Sequence, residues 1–284
     1  MSIVVTGATG HLGRHVVEQL LDKVPADQVT AVVRDKAKAA DLAARGVRIA
    51  VADYNAPGTF DGLFAAGDKV LLISGNEFDK GRVQQHKVVI DAAKAAGVAL
   101  LAYTSAPGSL TAALADDHRA TEEALLASGL PYALLRNGWY HENYTENLAP
   151  VLAHDAVVAA AGEGRVSSAA RADYAAAAVA VLTGEGHENR TYELGGDEAW
   201  GFAEYAAELS ARTGKEITYN NVPGEVLKDI LAGAGLPAPF AEILVGVDAS
   251  IAKGELVVSS GDLSRLAGRP TTPFSEAIAA ALKD

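Results

Sequence analysis

One segment constrains this chain more than any other: Thr6-Gly7-Ala8-Thr9-Gly10-His11-Leu12-Gly13. It follows the β-branched run Ile3-Val4-Val5 and opens a stretch with helical periodicity. Gly7 suits a tight turn, Gly10 lets a pyrophosphate approach the backbone, and Gly13 lets the helix pack closely on the strand. The unpaired N–H groups at the helix start, flanked by Thr9, His11 and Leu12, then favour phosphate oxygens. The expected ligand is a dinucleotide, and a glycine-rich turn without a ligand is the alternative.

The first half repeats the strand-then-helix unit. Strands are expected at 29–33, 47–52, 70–73, 100–104 and 132–135. Helices are expected between them: one with Leu12, Val16 and Leu20 on one stripe, then 35–45, 82–96 and 116–128. Gly46, Gly97 and Gly129 follow the last three, where a left-handed residue ends a helix. This alternation demands a parallel sheet with right-handed crossovers. After Arg136 the pattern loosens: 157–161 reads as a strand, 173–182 as an alanine-rich helix and 191–194 as one more strand, before helices broken by Pro223, Pro237, Pro239, Pro270 and Pro273. The expected architecture is α/β, a Rossmann-type doubly wound parallel sheet with a smaller, mostly helical C-terminal substrate domain. Residues 1–138 form the dinucleotide-binding domain, with 171–196 returning to it. Residues 139–170 and 197–284 form the smaller one.

Composition removes several function classes. The formal net charge of -12 repels phosphate backbones and anionic lipid, so neither nucleic acid nor a membrane surface is expected as a partner. Without cysteine there are no disulfides or thiolate nucleophiles. The seven histidines are dispersed, and His11 of the His11/His15 pair lies in the glycine turn, so no metal site is expected. The opening residues show no basic n-region and no apolar run reaches the ~20 residues of a spanning helix, so the expected compartment is the cytoplasm.

Strand ends carry the candidate ligand contacts. Arg34 closes the second strand, where an NAD-selective site usually has an acidic residue. Its guanidinium suits a 2′-phosphate, with Lys36 and Lys38 adding positive field. NADPH is therefore expected over NADH, the alternative being a solvated arginine that starts the next helix. Asp53 ends the third strand, either accepting from the adenine amino group or capping its loop. Ile73-Ser74-Gly75 and Tyr103-Thr104-Ser105 end the next two and are expected to line the cofactor trough.

The Thr-Gly-Ala-Thr-Gly-x-Leu-Gly opening, the Tyr103-Thr104-Ser105 strand end, Leu134-Leu135-Arg136-Asn137-Gly138-Trp139-Tyr140, Arg171-Ala-Asp173-Tyr174 and Gly186-His187-Glu188 together resemble the NmrA-like atypical short-chain dehydrogenases, especially their quinone- and triphenylmethane-reducing branches. The likeness spans essentially the whole chain. It implies an NADPH-dependent reductase that passes hydride directly, without flavin, to a small planar aromatic acceptor such as a quinone or dye. A homo-oligomer is compatible with this.

One departure narrows the chemistry. None of the nine tyrosines has a lysine four residues on, so the Tyr-x-x-x-Lys proton donor of ordinary short-chain dehydrogenases is missing. Counted back from Gly129-Leu130-Pro131, His118 takes the place of the lysine that many NmrA-like relatives carry. It is either the group that stabilises or protonates the product oxyanion, or a surface histidine in the first turn of a helix. Asn137 and Gly138 are expected beside the nicotinamide. Trp139, Tyr140 and Asn143 are expected on the acceptor side, with His118, Tyr140 and Asn137 as the catalytic candidates. Trp139 and Tyr140 also suit packing between domains, and Arg171 and Asp173 suit a buried ion pair holding the domains together, the alternative being contact with the substrate. The rival functions are a non-catalytic NAD(P)-binding redox sensor that signals through a protein partner, and reduction of another acceptor such as an imine or activated alkene.

Overall fold

The computed structural model describes residues 2–77 and 81–283, so Met1 of the opening segment lies outside it. Eleven strands are formed among these residues: β1 Ile3–Val5, β2 Val29–Val33, β3 Arg48–Val51, β4 Lys69–Leu72, β5 Leu100–Ser105, β6 Tyr132–Asn137, β7 Ala156–Ala159, β8 Arg165–Val166, β9 Arg190–Leu194, β10 Trp200–Gly201 and β11 Thr218–Asn221. Seven of them make one parallel sheet in the order β3-β2-β1-β4-β5-β6-β9. Both faces are covered by helices, which is why β1, β4 and β5 are buried along their whole length. The Rossmann-type α/β expectation is met.

Helices α1 His11–Leu21 and α2 Ala40–Ala44 cover one face. Helices α3 Arg82–Ala96 and α4 Leu114–Ser128 cover the other. The long second helix expected at 35–45 is divided: Asp35 caps Ala37 N–H at 2.9 Å, a tight 3-10 turn spans 36–39, and only then does α2 begin. Helix α4 begins two residues earlier than expected.

Beyond β6, α5 Glu142–Thr145 and α6 Ala149–His154 lead into β7. Helix α7 Arg171–Thr183 and β9 return to the sheet, and α8 Phe202–Thr213, α9 Gly224–Gly233, α10 Ala238–Ala252, α11 Asp262–Ala267 and α12 Phe274–Ala281 follow. A second core gathers Leu148, Val157, Trp200, Phe202, Tyr205, Ile251 and Ile278, with Trp200 stacked on Phe274 at 3.9 Å between ring centres. The strand expected at 157–161 is β7, displaced to 156–159. It pairs with β11, which the sequence reading did not foresee, and not with the main sheet. Helix α11 also departs from expectation. Its Leu263 is buried in the core that α1 and α7 share, so this part of 197–284 packs on the sheet domain.

The expected Arg171–Asp173 ion pair does not form. Two residues apart at the start of α7, the side chains leave the helix on different faces. Arg171 reaches Glu146, and its backbone N–H bonds the Glu142 carboxylate at 2.9 Å. Asp173, fully buried, takes Arg269 at 2.6 Å and the Thr272 N–H at 2.8 Å. Among the described residues no helix is long and apolar enough to cross a membrane.

Candidate active site

The chain leaves β1 for one face of the sheet and β4 for the other. A crevice opens at their carboxyl ends, the usual ligand position of such sheets. Here it is a cleft of about 440 Å³.

The glycine turn forms its middle. Gly7 adopts φ +61°, and its carbonyl accepts the Gly10 N–H at 2.9 Å. A Cβ on Gly13 would lie 2.2 Å from the Gly7 oxygen and 2.9 Å from Ala8 Cα, so only glycine lets α1 approach its own turn this closely. Helix α1 starts without a side-chain cap and without an acidic residue in its first turn. Its N–H groups are therefore available to an anion, at the positive end of the helix dipole. Gly7, Thr9, Gly10, His11, Leu12 and Gly13 all line the cleft, and this cradle fits a pyrophosphate.

At one end lie Arg34, Asp35, Lys38, Asp53, Asn55 and Glu77. Arg34 is 64% exposed and donates to Glu77 at 3.0 Å; Asn55 and Gln85 donate to the other Glu77 oxygen. Lys36 is exposed and outside the lining. One Asp53 oxygen accepts the Asn55 N–H at 2.9 Å, so the residue caps its loop while also facing the cleft.

At the other end Ile73, Ser74, Gly75 and Thr104 meet Arg82, Tyr140 and Arg171. The Thr104 hydroxyl accepts the Ser74 N–H at 2.9 Å, tying β4 to β5. Tyr140 packs edge-on against Tyr174, with the Arg171 guanidinium 5.3 Å from its ring centre. Tyr140 Oη is 3.4 Å from Nδ2 of Asn137, a residue expected in the site that is buried behind Tyr140 and outside the cleft lining, with Oδ1 lacking a hydrogen-bond partner.

Several expected residues lie elsewhere. Tyr103 and Ser105 face away from the cleft because side chains alternate along β5, which gives that wall to Thr104 alone. Tyr103 is wholly buried, and Ser105 donates to Glu122 of α4. Gly138 is enclosed by Leu194 and Tyr174, and Trp139 packs against the second core, the interdomain alternative left open for it. Asn143 is exposed and outside the lining.

His118 corrects both alternatives offered for it. It is 7% exposed in the second turn of α4, so it is not a surface residue, and it does not line the cleft. Arg82 Nη2 lies 2.9 Å from its Nε2, and Tyr103 Oη lies 2.9 Å from its Nδ1. Arginine can only donate, so Nε2 accepts and the ring is neutral with its proton on Nδ1. Burial first, then the Arg82 charge, hold its pKa well below the usual histidine range. A neutral ring turned away from the cleft is no proton donor to a ligand there. His86 is neutral for the same two reasons, with a pKa of about 3, and its Nε2 accepts the Gly75 N–H at 2.9 Å.

The pattern that defines the NAD(P)H-binding family matches residues 7–185, from the glycine turn to just past α7. The chain belongs to the NAD(P)H-binding family. Its sequence is 45% identical over 278 residues to quinone oxidoreductase 2 of Escherichia coli, covering 97% of each chain. It is 32% identical to the NAD(P)H azoreductase of Xenophilus azovorans, covering 96% of each. Its fold superposes on the crystal structure of the E. coli quinone oxidoreductase in complex with NADPH with a TM-score of 0.95, covering 99% of each chain. The triphenylmethane reductase of a Citrobacter species is 42% identical with a TM-score of 0.94, and all of each chain is covered. The expected resemblance is thereby met.

The cleft residues that the sequence does not single out as ligand contacts include Asp35, Tyr54, Asn55, Asn76, Glu77, Arg82 and Gln85. Arg171 lines the cleft, in keeping with the ligand contact left open for it as the alternative to an ion pair with Asp173. Arg82 carried no signal, being one basic residue at the start of an ordinary helix.

Proposed function

We propose that the protein is an NADPH-dependent reductase of quinones or quinone-like aromatic acceptors. The observation that carries this is one continuous cleft, with the phosphate cradle in the middle, Arg34 at one end and Tyr140 with Arg82 at the other, in a chain similar over its whole length to a quinone oxidoreductase. The α1 N-terminus would hold the pyrophosphate, and Arg34 with Lys38 the 2′-phosphate. Asp53 would face the adenine, and Ile73, Ser74, Gly75 and Thr104 the riboses. Asn137, whose buried Oδ1 lacks a donor, suits the carboxamide. Tyr140, the residue of 139–170 that lines the cleft, would present its ring to a planar acceptor.

Bound there, NADPH supplies a hydride. The chain positions the acceptor against it, and no side chain need hand over a proton, because the charge left on a quinone oxygen is a stabilised phenolate that takes a proton from water. Steady-state NADPH oxidation against a panel of quinones, a triphenylmethane dye and an azo dye tests the proposal. Turnover with at least one quinone, faster with NADPH than with NADH, is the expected result. Tight NADPH binding with no turnover on any acceptor would sink it and favour the redox-sensor reading. That second reading draws on Trp139 and Asn143 lying outside the cleft.

A further inference from the structure

A Tyr-x-x-x-Lys helix would place a cation beside the reacting end of the cleft, but α4 has no lysine and its Arg119 pairs with Asp116 away from the cleft. The structure brings a cation from α3. Arg82 is the first residue of that helix, only 4% exposed, and lines the cleft together with Tyr140 and Thr104. Its Nε donates to the Gly75 carbonyl at 2.6 Å, and its Nη2 donates to His118 at 2.9 Å. His118 is fixed in turn by Tyr103. Both of these Arg82 acceptors are neutral. Burial draws the arginine pKa down, yet a guanidinium remains protonated throughout the pH range of protein function. Tyr140 is close enough for the Arg82 charge to act on it, and burial keeps its phenol neutral.

We propose that Arg82 is the catalytic cation of this site, donating a hydrogen bond to the acceptor oxygen on which negative charge accumulates, and that His118 is the positioning residue that aims it. This rests on the reductase function proposed above. Two electrons and one hydrogen reach the acceptor as hydride, the charge settles on the acceptor oxygen, and a proton from water completes the hydroquinone. Arg82 keeps its own protons throughout. A planar donor held on two sides before the acceptor enters needs no reorganisation as that charge develops, which is the condition under which such donors are most effective.

The test compares Arg82→Met, Arg82→Lys, His118→Gln and His118→Leu by three readouts: NADPH affinity by fluorescence titration, kcat and KM with 1,4-naphthoquinone, and the ionisation of 4-nitrophenol bound to the NADP⁺ complex. The last readout requires no turnover. Arg82→Met is expected to lower kcat by about 10²–10³-fold, the loss typical of an oxyanion donor. It should leave NADPH affinity within roughly threefold and abolish a downward shift in the pKa of bound nitrophenol that the unmodified protein shows. Arg82→Lys should recover part of both effects. His118→Gln, whose amide oxygen can still accept from Arg82, should retain more activity than His118→Leu. Unchanged kcat in a folded Arg82→Met variant overturns the proposal, as does a loss confined to NADPH affinity or an unshifted nitrophenol in the unmodified protein. If Arg82→Met does not fold, Arg82→Lys against the unmodified protein decides by the same readouts. A nitrophenol shift that depends on Arg82, in a protein that reduces no quinone, supports the anion site and sinks the reductase function instead.

Discussion

The two ends of the cleft are built on different principles. The phosphate cradle and the Arg34 end use backbone N–H groups and exposed charges supplied by residues 7–13 and 34–38. The far end is a buried polar assembly in which residues 75, 82, 86, 103 and 118 hold one another across α3, β5, α4 and the loop after β4. A site made of local backbone geometry tolerates solvent and is specified by a few adjacent residues. A buried polar site must satisfy every group and is specified by the whole fold.

The largest expected effect tests the first kind of construction. Gly13→Val should abolish NADPH binding and destabilise the fold by about 1–3 kcal/mol, because its Cβ would collide with the Gly7 carbonyl and nothing there can move without losing the turn. Gly10→Val meets only one atom, at 3.2 Å, and should block the phosphates with little loss of stability. Equal effects of the two variants in NADPH titration and thermal melting would show that the turn is not the rigid cradle described here.

The second kind should betray itself in acid. Below about pH 6.5 the unfolded chain protonates His86 and His118, which the folded protein keeps neutral. The unfolded state then binds more protons, so stability rises with pH and is lost as pH falls from about 6.5 towards 3. At pH 5 the two histidines should cost roughly 2 kcal/mol each. Urea unfolding of the unmodified protein and His118→Gln at pH 7 and pH 5 checks this. Parallel pH dependence in the two proteins would mean that His118 titrates normally in the fold.

A smaller effect is expected at the exposed end. Arg34→Asp should reverse the cofactor preference, costing NADPH about 1–2 kcal/mol; the low end of a charge-assisted bond is appropriate for a side chain so exposed. Equal affinity of the unmodified protein for NADPH and NADH would remove Arg34 from the site. Smallest of all, Tyr140→Phe should lower kcat by less than about tenfold, well short of the loss of a general acid. Its hydroxyl makes one long contact, to Asn137, and what it offers the acceptor is a ring. A drop beyond a hundredfold would instead make Tyr140 a proton donor.

The contrast between the two ends also explains which parts of the site were legible in advance. The turn from Gly7 to Gly13 and the position of Arg34 could be read because each is set by its immediate neighbours in sequence. The end of β5 is legible in the sequence as a block, whereas the pleat gives Thr104 to the cleft and turns Tyr103 and Ser105 towards the helices behind. Trp139 and Tyr140 divide in the same way: one joins the second core and the other lines the cleft. His118 was singled out by its place on a helix, but its burial and its arginine partner depend on α3 packing beside α4.

By itself, the sequence determined the parallel α/β sheet, the glycine turn at the middle of the cleft and the basic residues Arg34 and Lys38 at one end. All of these follow from periodicity, glycine conformation and charge within short stretches of chain. Only the tertiary structure decided that a buried cation, Arg82 of α3, lines the far end of the cleft, that His118 serves as its neutral acceptor, and that Arg171 reaches the cleft and does not pair with Asp173. The physical reason is distance along the chain: a hydrogen bond between residues 82 and 118 leaves no local pattern, and its cost and orientation exist only once both helices are packed and water is gone.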